Sequence, residues 1–139
     1  MGADESDRFR RGWDRLLEVD ADAGERVIES LQDVAPDLGR YVVEFAFGDI
    51  YSRPELDLRQ RQIATIAALT TLGGAEPQLE VHVNGGLNVG LSPREIVEVM
   101  LHCAPYVGFP RVLNAIFVAK RVFEERNVSA LQDDVSVEP

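Results

Sequence analysis

The chain has 139 residues, 45% of them hydrophobic, enough to bury one core without disulfide or metal staples, so one domain is expected. Lys and Arg number 14 against 24 Asp and Glu, a formal charge of −10, which argues against a surface built to grip nucleic-acid phosphates or anionic lipid. The single cysteine, Cys103, excludes an intrachain disulfide, a thiol pair and cysteine-rich zinc ligation, and fits a reducing cytoplasm.

The charged stretch Met1 to Arg11 lacks an apolar export segment, and no apolar run approaches membrane-spanning length, so a soluble, unexported chain is expected. Hydrophobic spacing is helical nearly throughout, without a clear alternating strand, which makes the expected fold class all-α, a single-domain bundle of about six to seven helices. Residues 1–20 read as a polar lead-in, helical around Trp13, Leu16 and Leu17; residues 21–126 form the helical domain.

Asp22 with Glu25 makes a capping-box pattern that opens a helix bearing Val27, Ile28 and Leu31. Pro36 ends it and starts the next. From Pro36 to about Tyr51, Leu38, Tyr41, Val42, Phe45 and Ala46 recur at three and four, which predicts one broad buried face, with Gly48 loosening the end. Arg53-Pro54 forces a turn. Asp57 with Gln60 repeats the cap pattern, and Ile63, Ala64, Ile66, Ala67, Ala68, Leu69 and Leu72 make a helix apolar around most of its circumference, which predicts a central position.

Gly73-Gly74 ends that helix, Pro77 fits the first turn of the following one, and His82 lies within it among Leu79, Val81, Val83 and Leu87. Ser92, Pro93 and Glu95 give the clearest helix start in the chain. Pro105 and Gly108 predict a break or kink, Pro110 a last helix through Phe123, and residues 127–139, small and acidic, a disordered tail.

His82 and His102 are the two histidines, on successive helices whose antiparallel packing could bring them to one pocket, and each equally suits a structural role. They make no metal motif, even with Glu76 and Glu80 nearby, so no metal is expected. Glu44, between Val43 and Phe45, reads either as a carboxylate tuned by burial or as a member of the polar face. Arg53, Arg59 and Arg61 flank the turn, where a guanidinium can clamp a carboxylate or simply pair with a neighbour. Tyr51 and Tyr106 can donate to a ligand or cover the core edge.

Three collinear stretches resemble the carboxymuconolactone decarboxylase family. They are Phe47-Gly48-Asp49-Ile50-Tyr51-Ser52-Arg53-Pro54 running into Leu58-Arg59-Gln60-Arg61; Leu79-Glu80-Val81-His82-Val83-Asn84-Gly85-Gly86 through Ser92-Pro93-Arg94-Glu95; and Leu101-His102-Cys103-Ala104-Pro105-Tyr106 through Phe109-Pro110. The resemblance covers about residues 36–122 and implies the all-helical fold shared with alkylhydroperoxidase D-like proteins, assembled as homotrimers or homohexamers. Peroxidase relatives carry Cys-x-x-Cys-x-x-x-His; with His82 on that histidine, Ala75 and Gln78 stand at the cysteine positions and Gln62 near the supporting glutamate. Neither Ala nor Gln can run a thiol cycle, so thiol peroxidase activity is not expected.

The resemblance implies instead a cofactor-free carboxy-lyase acting on 4-carboxymuconolactone or a similar small lactone acid, as in breakdown of protocatechuate. In that reading His82 transfers a proton or contacts an oxyanion, Arg53 clamps a carboxylate, and Glu44 or Tyr51 supports them, with Gln62, Gln78, His102 and Tyr106 as substrate contacts. The alternative is a helical oligomer that binds or transforms an unrelated small molecule in the same cavity. Two positions depart from the family pattern: Pro105 inside the closing motif, and Gln62, an amide that cannot act as a base.

Overall fold

The structure, a computed structural model, describes residues 6–131. Among them the regular elements are all helical: α1 (Asp7–Ser30), α2 (Pro36–Tyr41), a π-helical segment (Val42–Ile50), α3 (Leu58–Leu72), α4 (Glu76–Asn88), α5 (Pro93–Val107) and α6 (Phe109–Arg126). The expected all-α fold is what the chain adopts. It divides into two compact units that meet in sequence between Arg61 and Gln62. No helix among the described residues is long and apolar enough to cross a membrane.

In the N-terminal unit, Ser6 caps α1 by accepting from the Phe9 N–H at 3.1 Å, and Phe9 stacks near Trp13. The helix therefore begins well ahead of Asp22. It bends at Ala21, whose φ of 49° and ψ of −135° are not helical, one residue before the expected cap-type start. Leu16, Val19 and Ile28 bury along its inner side.

Pro36 stands in the first turn of α2, where its missing N–H costs nothing, and α2 passes directly into the π segment, closed by the Tyr51 N–H donating to the Ala46 carbonyl. The buried positions here are Gly39, Val43, Phe47 and Gly48, while Leu38, Tyr41 and Phe45 are exposed. This corrects the face expected from spacing. Gly48 also does not loosen the segment: a Cβ there would lie 2.7 Å from the Arg8 carbonyl oxygen, so the glycine lets α1 approach closely.

The C-terminal unit has its core between α4, α5 and α6, with Leu79, Val83, Ile96, Met100, Val118 and Val122 fully packed. From α3, Gln62, Ile66 and Thr70 are buried at successive turns. Ile63, Ala64, Ala68 and Leu72 are exposed, so within this chain α3 presents an apolar outer side rather than the central position its composition predicts. Arg111 donates to the carbonyls of Thr71 and Leu72, capping the end of α3 from the start of α6.

Of the three capping boxes expected from the sequence two form, while Asp22 and Glu25 lie inside α1, which is capped by Ser6 instead. Ser92 Oγ accepts from the Glu95 N–H and Glu95 returns a carboxylate oxygen to the Ser92 N–H, each at 3.0 Å; Asp57 and Gln60 exchange the same pair of bonds at 2.8 and 2.9 Å. Helix α5 runs through Pro105 to Val107 and stops at Gly108, whose φ is 82°. Asn127, at φ 54°, ends α6, and Ala130 accepts from Arg94 and packs on the core. Of the tail expected to be disordered, residues 132–139 lie outside the described residues, as do residues 1–5.

Candidate functional site

His82 sits in the second turn of α4, half-buried, on a helix whose Leu79 and Val83 anchor it to the core. Its Nδ1 lies 3.1 Å from Oε1 of Gln62, a side chain of α3 with no exposed surface. Burial pushes the imidazole down from its ordinary value to about 4, which leaves it uncharged at neutral pH. A half-buried, uncharged imidazole oriented by a fully buried amide is a defined hydrogen-bonding group. The pair also joins α3 to α4 within this unit.

His102 is exposed on α5 and lines a groove of about 590 Å³ with Ile63, Ala67, Glu98, Val99, Leu101 and Pro105; His82 is not among the lining residues. The His102 ring lies 5.9 Å from that of Tyr106, which is itself exposed. Gln78, also exposed, occupies the first turn of α4, and Ala75 precedes that helix.

Cys103 is buried, with Sγ against the Val99 carbonyl oxygen at 3.4 Å, the position of a core thiol rather than a reactive one. Among the described residues, no group of three or more His, Cys, Asp or Glu is placed to hold a metal ion.

The three remaining candidates belong to the N-terminal unit. Glu44 is a half-buried member of the π segment and pairs with Arg8 at 3.3 Å. Tyr51 stacks on Phe47 with ring centroids 4.8 Å apart. Arg53 is exposed in the turn, its Nε 4.0 Å from Glu55, while its backbone carbonyl accepts from Arg61, which also donates to Leu56. Arg61 thus braces the turn that carries Arg53.

The charge cluster around the π segment was not among the expectations from sequence. Arg8 donates from Nε and Nη2 to both carboxylate oxygens of Asp49, at 2.6 to 3.0 Å, and Arg11 donates to the Gly48 carbonyl. The bidentate bond from Arg8 holds the Asp49 carboxyl below the usual range, and the same bond raises Arg8. A signal existed: Gly12 and Gly48, small residues at the crossing, permit the approach that lets both arginines reach over.

Residues 36–121 match the carboxymuconolactone decarboxylase family. The chain is 33% identical over 126 residues to the 4-carboxymuconolactone decarboxylase of Acinetobacter baylyi, covering 88% of this chain and 91% of that protein. It is 30% identical over 123 residues to the nitrosuccinic acid decarboxylase of Metarhizium robertsii, covering 84% of each. An uncharacterised 15.0 kDa protein of Paracoccus denitrificans is 31% identical over 101 residues, 72% of this chain and 75% of that protein. With the matched segment running from α2 into α6 and holding both members of the Gln62–His82 pair, the chain belongs to the carboxymuconolactone decarboxylase family.

Proposed function

We propose that this protein removes carbon dioxide from 4-carboxymuconolactone or a related small lactone acid, without a cofactor. The observation that carries this reading is the similarity to a 4-carboxymuconolactone decarboxylase across 88% of the chain. The second named relative broadens the chemical class. A nitro group, like an unsaturated lactone, takes up the electron pair that a departing carboxylate leaves behind, so in both named substrates the substrate is its own electron sink.

The step then needs little from the protein. The bond to the carboxyl carbon breaks, carbon dioxide leaves, the electron pair passes through the double bond to the lactone carbonyl oxygen, and a proton is added at carbon. His82 is uncharged in the ligand-free chain, and a bound anion within about 4–6 Å favours the charged imidazolium. Proton uptake from solvent as the acid binds, followed by transfer to carbon as carbon dioxide leaves, returns the imidazole to its neutral state. Arg53 is the residue proposed to clamp a substrate carboxylate.

Incubating the purified protein with 4-carboxymuconolactone and following enol-lactone formation tests the reading. Turnover that falls at least 100-fold in His82→Ala, with helical circular dichroism unchanged, is the expected result. No turnover by the intact protein removes the assignment, and activity that survives His82→Ala makes His82 structural. A homotrimer or homohexamer is the assembly proposed with it, and it would give the exposed Ile63 and Leu72 of α3 a place to bury.

A further inference from the structure

A neutral imidazole carries one proton on two nitrogens, and the nitrogen that holds it decides what the other can do. In this chain the choice is constrained by one contact. Gln62 has no exposed surface, and its Oε1 faces His82 Nδ1 at 3.1 Å. A carbonyl oxygen only accepts, so this bond forms with the hydrogen on Nδ1, and Nε2 is left with its lone pair.

The residue type matters as much as the distance. A glutamate at position 62 would accept the same hydrogen and add a negative charge beside the ring, favouring imidazolium. The amide accepts without that charge, and burial does the rest.

We propose that Gln62 is a positioning residue that fixes His82 as the Nδ1–H tautomer, makes Nε2 the only basic atom of the ring, and, by being an amide, keeps the ring uncharged until a ligand arrives. This deepens the decarboxylase reading and rests on it for the ligand alone. Gln62 sets which atom exchanges a proton and in what charge state the ring waits.

The chain has two histidines, so His102→Gln leaves His82 as the sole imidazole for nitrogen-15 NMR of the untagged protein. At pH 7 the expected spectrum has a protonated Nδ1 and a bare Nε2, with no titration until below about pH 5. Gln62→Glu in that background should raise the titration midpoint by at least one unit, so that both nitrogens are protonated at a higher pH than in the parent. Gln62→Met should release the tautomer toward Nε2–H.

A protonated Nε2 in the parent spectrum overturns the proposal, as does a Gln62→Glu midpoint that does not move. If either substitution at this buried position unfolds the chain, the parent spectrum still decides. These spectra need no substrate: an inactive protein with Nδ1 protonated discards the decarboxylase reading and keeps the pair, and an active one with Nε2 protonated does the reverse.

Discussion

Gly12 and Gly48 stand where α1 and the π segment pass in close contact: a Cβ on Gly12 would lie 1.9 Å from the Val43 carbonyl oxygen and 2.9 Å from the Gly48 nitrogen. Both obstacles are backbone, which cannot rotate aside. Gly12→Ala should therefore destabilise the N-terminal unit by about 3 kcal/mol, the upper end of what overpacking usually costs. Urea unfolding followed by circular dichroism checks this, and a change below about 1 kcal/mol would mean that the crossing gives way easily.

Two buried titrations oppose one another. Burial raises the Asp20 carboxyl from 3.8 to about 7, and its Oδ1 has no hydrogen-bond partner among the described residues. The folded chain then holds a proton that the unfolded chain has released, so stability falls as pH rises from 3.8 to about 7. His82 runs the other way: lowered from 6.5 to about 4, it is charged first in the unfolded chain, so its stability contribution is complete above 6.5 and lost toward 4. Asp20→Asn should raise stability at pH 7.5 by on the order of 1–4 kcal/mol while leaving pH 3.5 nearly unchanged. It should also expose the His82 slope, a loss of up to about 3 kcal/mol between pH 6.5 and 4. Chemical denaturation across that range measures both.

Arg53 and Arg61 separate binding from bracing. Arg53 contributes its backbone carbonyl to the turn, which any residue supplies, whereas Arg61 donates from its side chain. Arg53→Ala should raise KM about tenfold or more with thermal stability unchanged, consistent with loss of a charged hydrogen bond. Arg61→Ala should lower stability as well. An unchanged KM in Arg53→Ala would remove it from the substrate.

Cys103 should behave as a small core residue. Its thiol is buried against the Val99 carbonyl oxygen, so an aromatic disulfide reagent should label it only as fast as the chain opens, and denaturant should accelerate labelling by at least about 100-fold. Rapid labelling of the native protein would contradict the packing.

Local chemistry was the most legible part of the sequence. The Asp57–Gln60 and Ser92–Glu95 caps depend on residues three apart, and both form. The stretch from Pro36 to Tyr51 was harder to read because it carries two apolar stripes. Spacing at three and four fits Leu38, Tyr41 and Phe45 as well as Gly39, Val43 and Phe47, and the close pass of α1 selects the second set. Gln62 and His82 were each named from the sequence, but a bond across 20 positions depends on how α3 and α4 pack, which no local pattern encodes. The arginines of α1 fell within the polar lead-in, and their carboxylate partners lie 36 to 41 residues on, beyond the reach of local spacing.

The match to the family begins at residue 36, yet Arg8, which neutralises Asp49 and Glu44, and the inner side of α1, which covers Val43 and Phe47, both precede it. A chain trimmed to residues 36–121 would keep the segment that matches the family and still lose the counter-charges and the cover of its own first segment. For this protein the matched segment and the unit that folds have different edges, and any attempt to transplant or shorten it must follow the second.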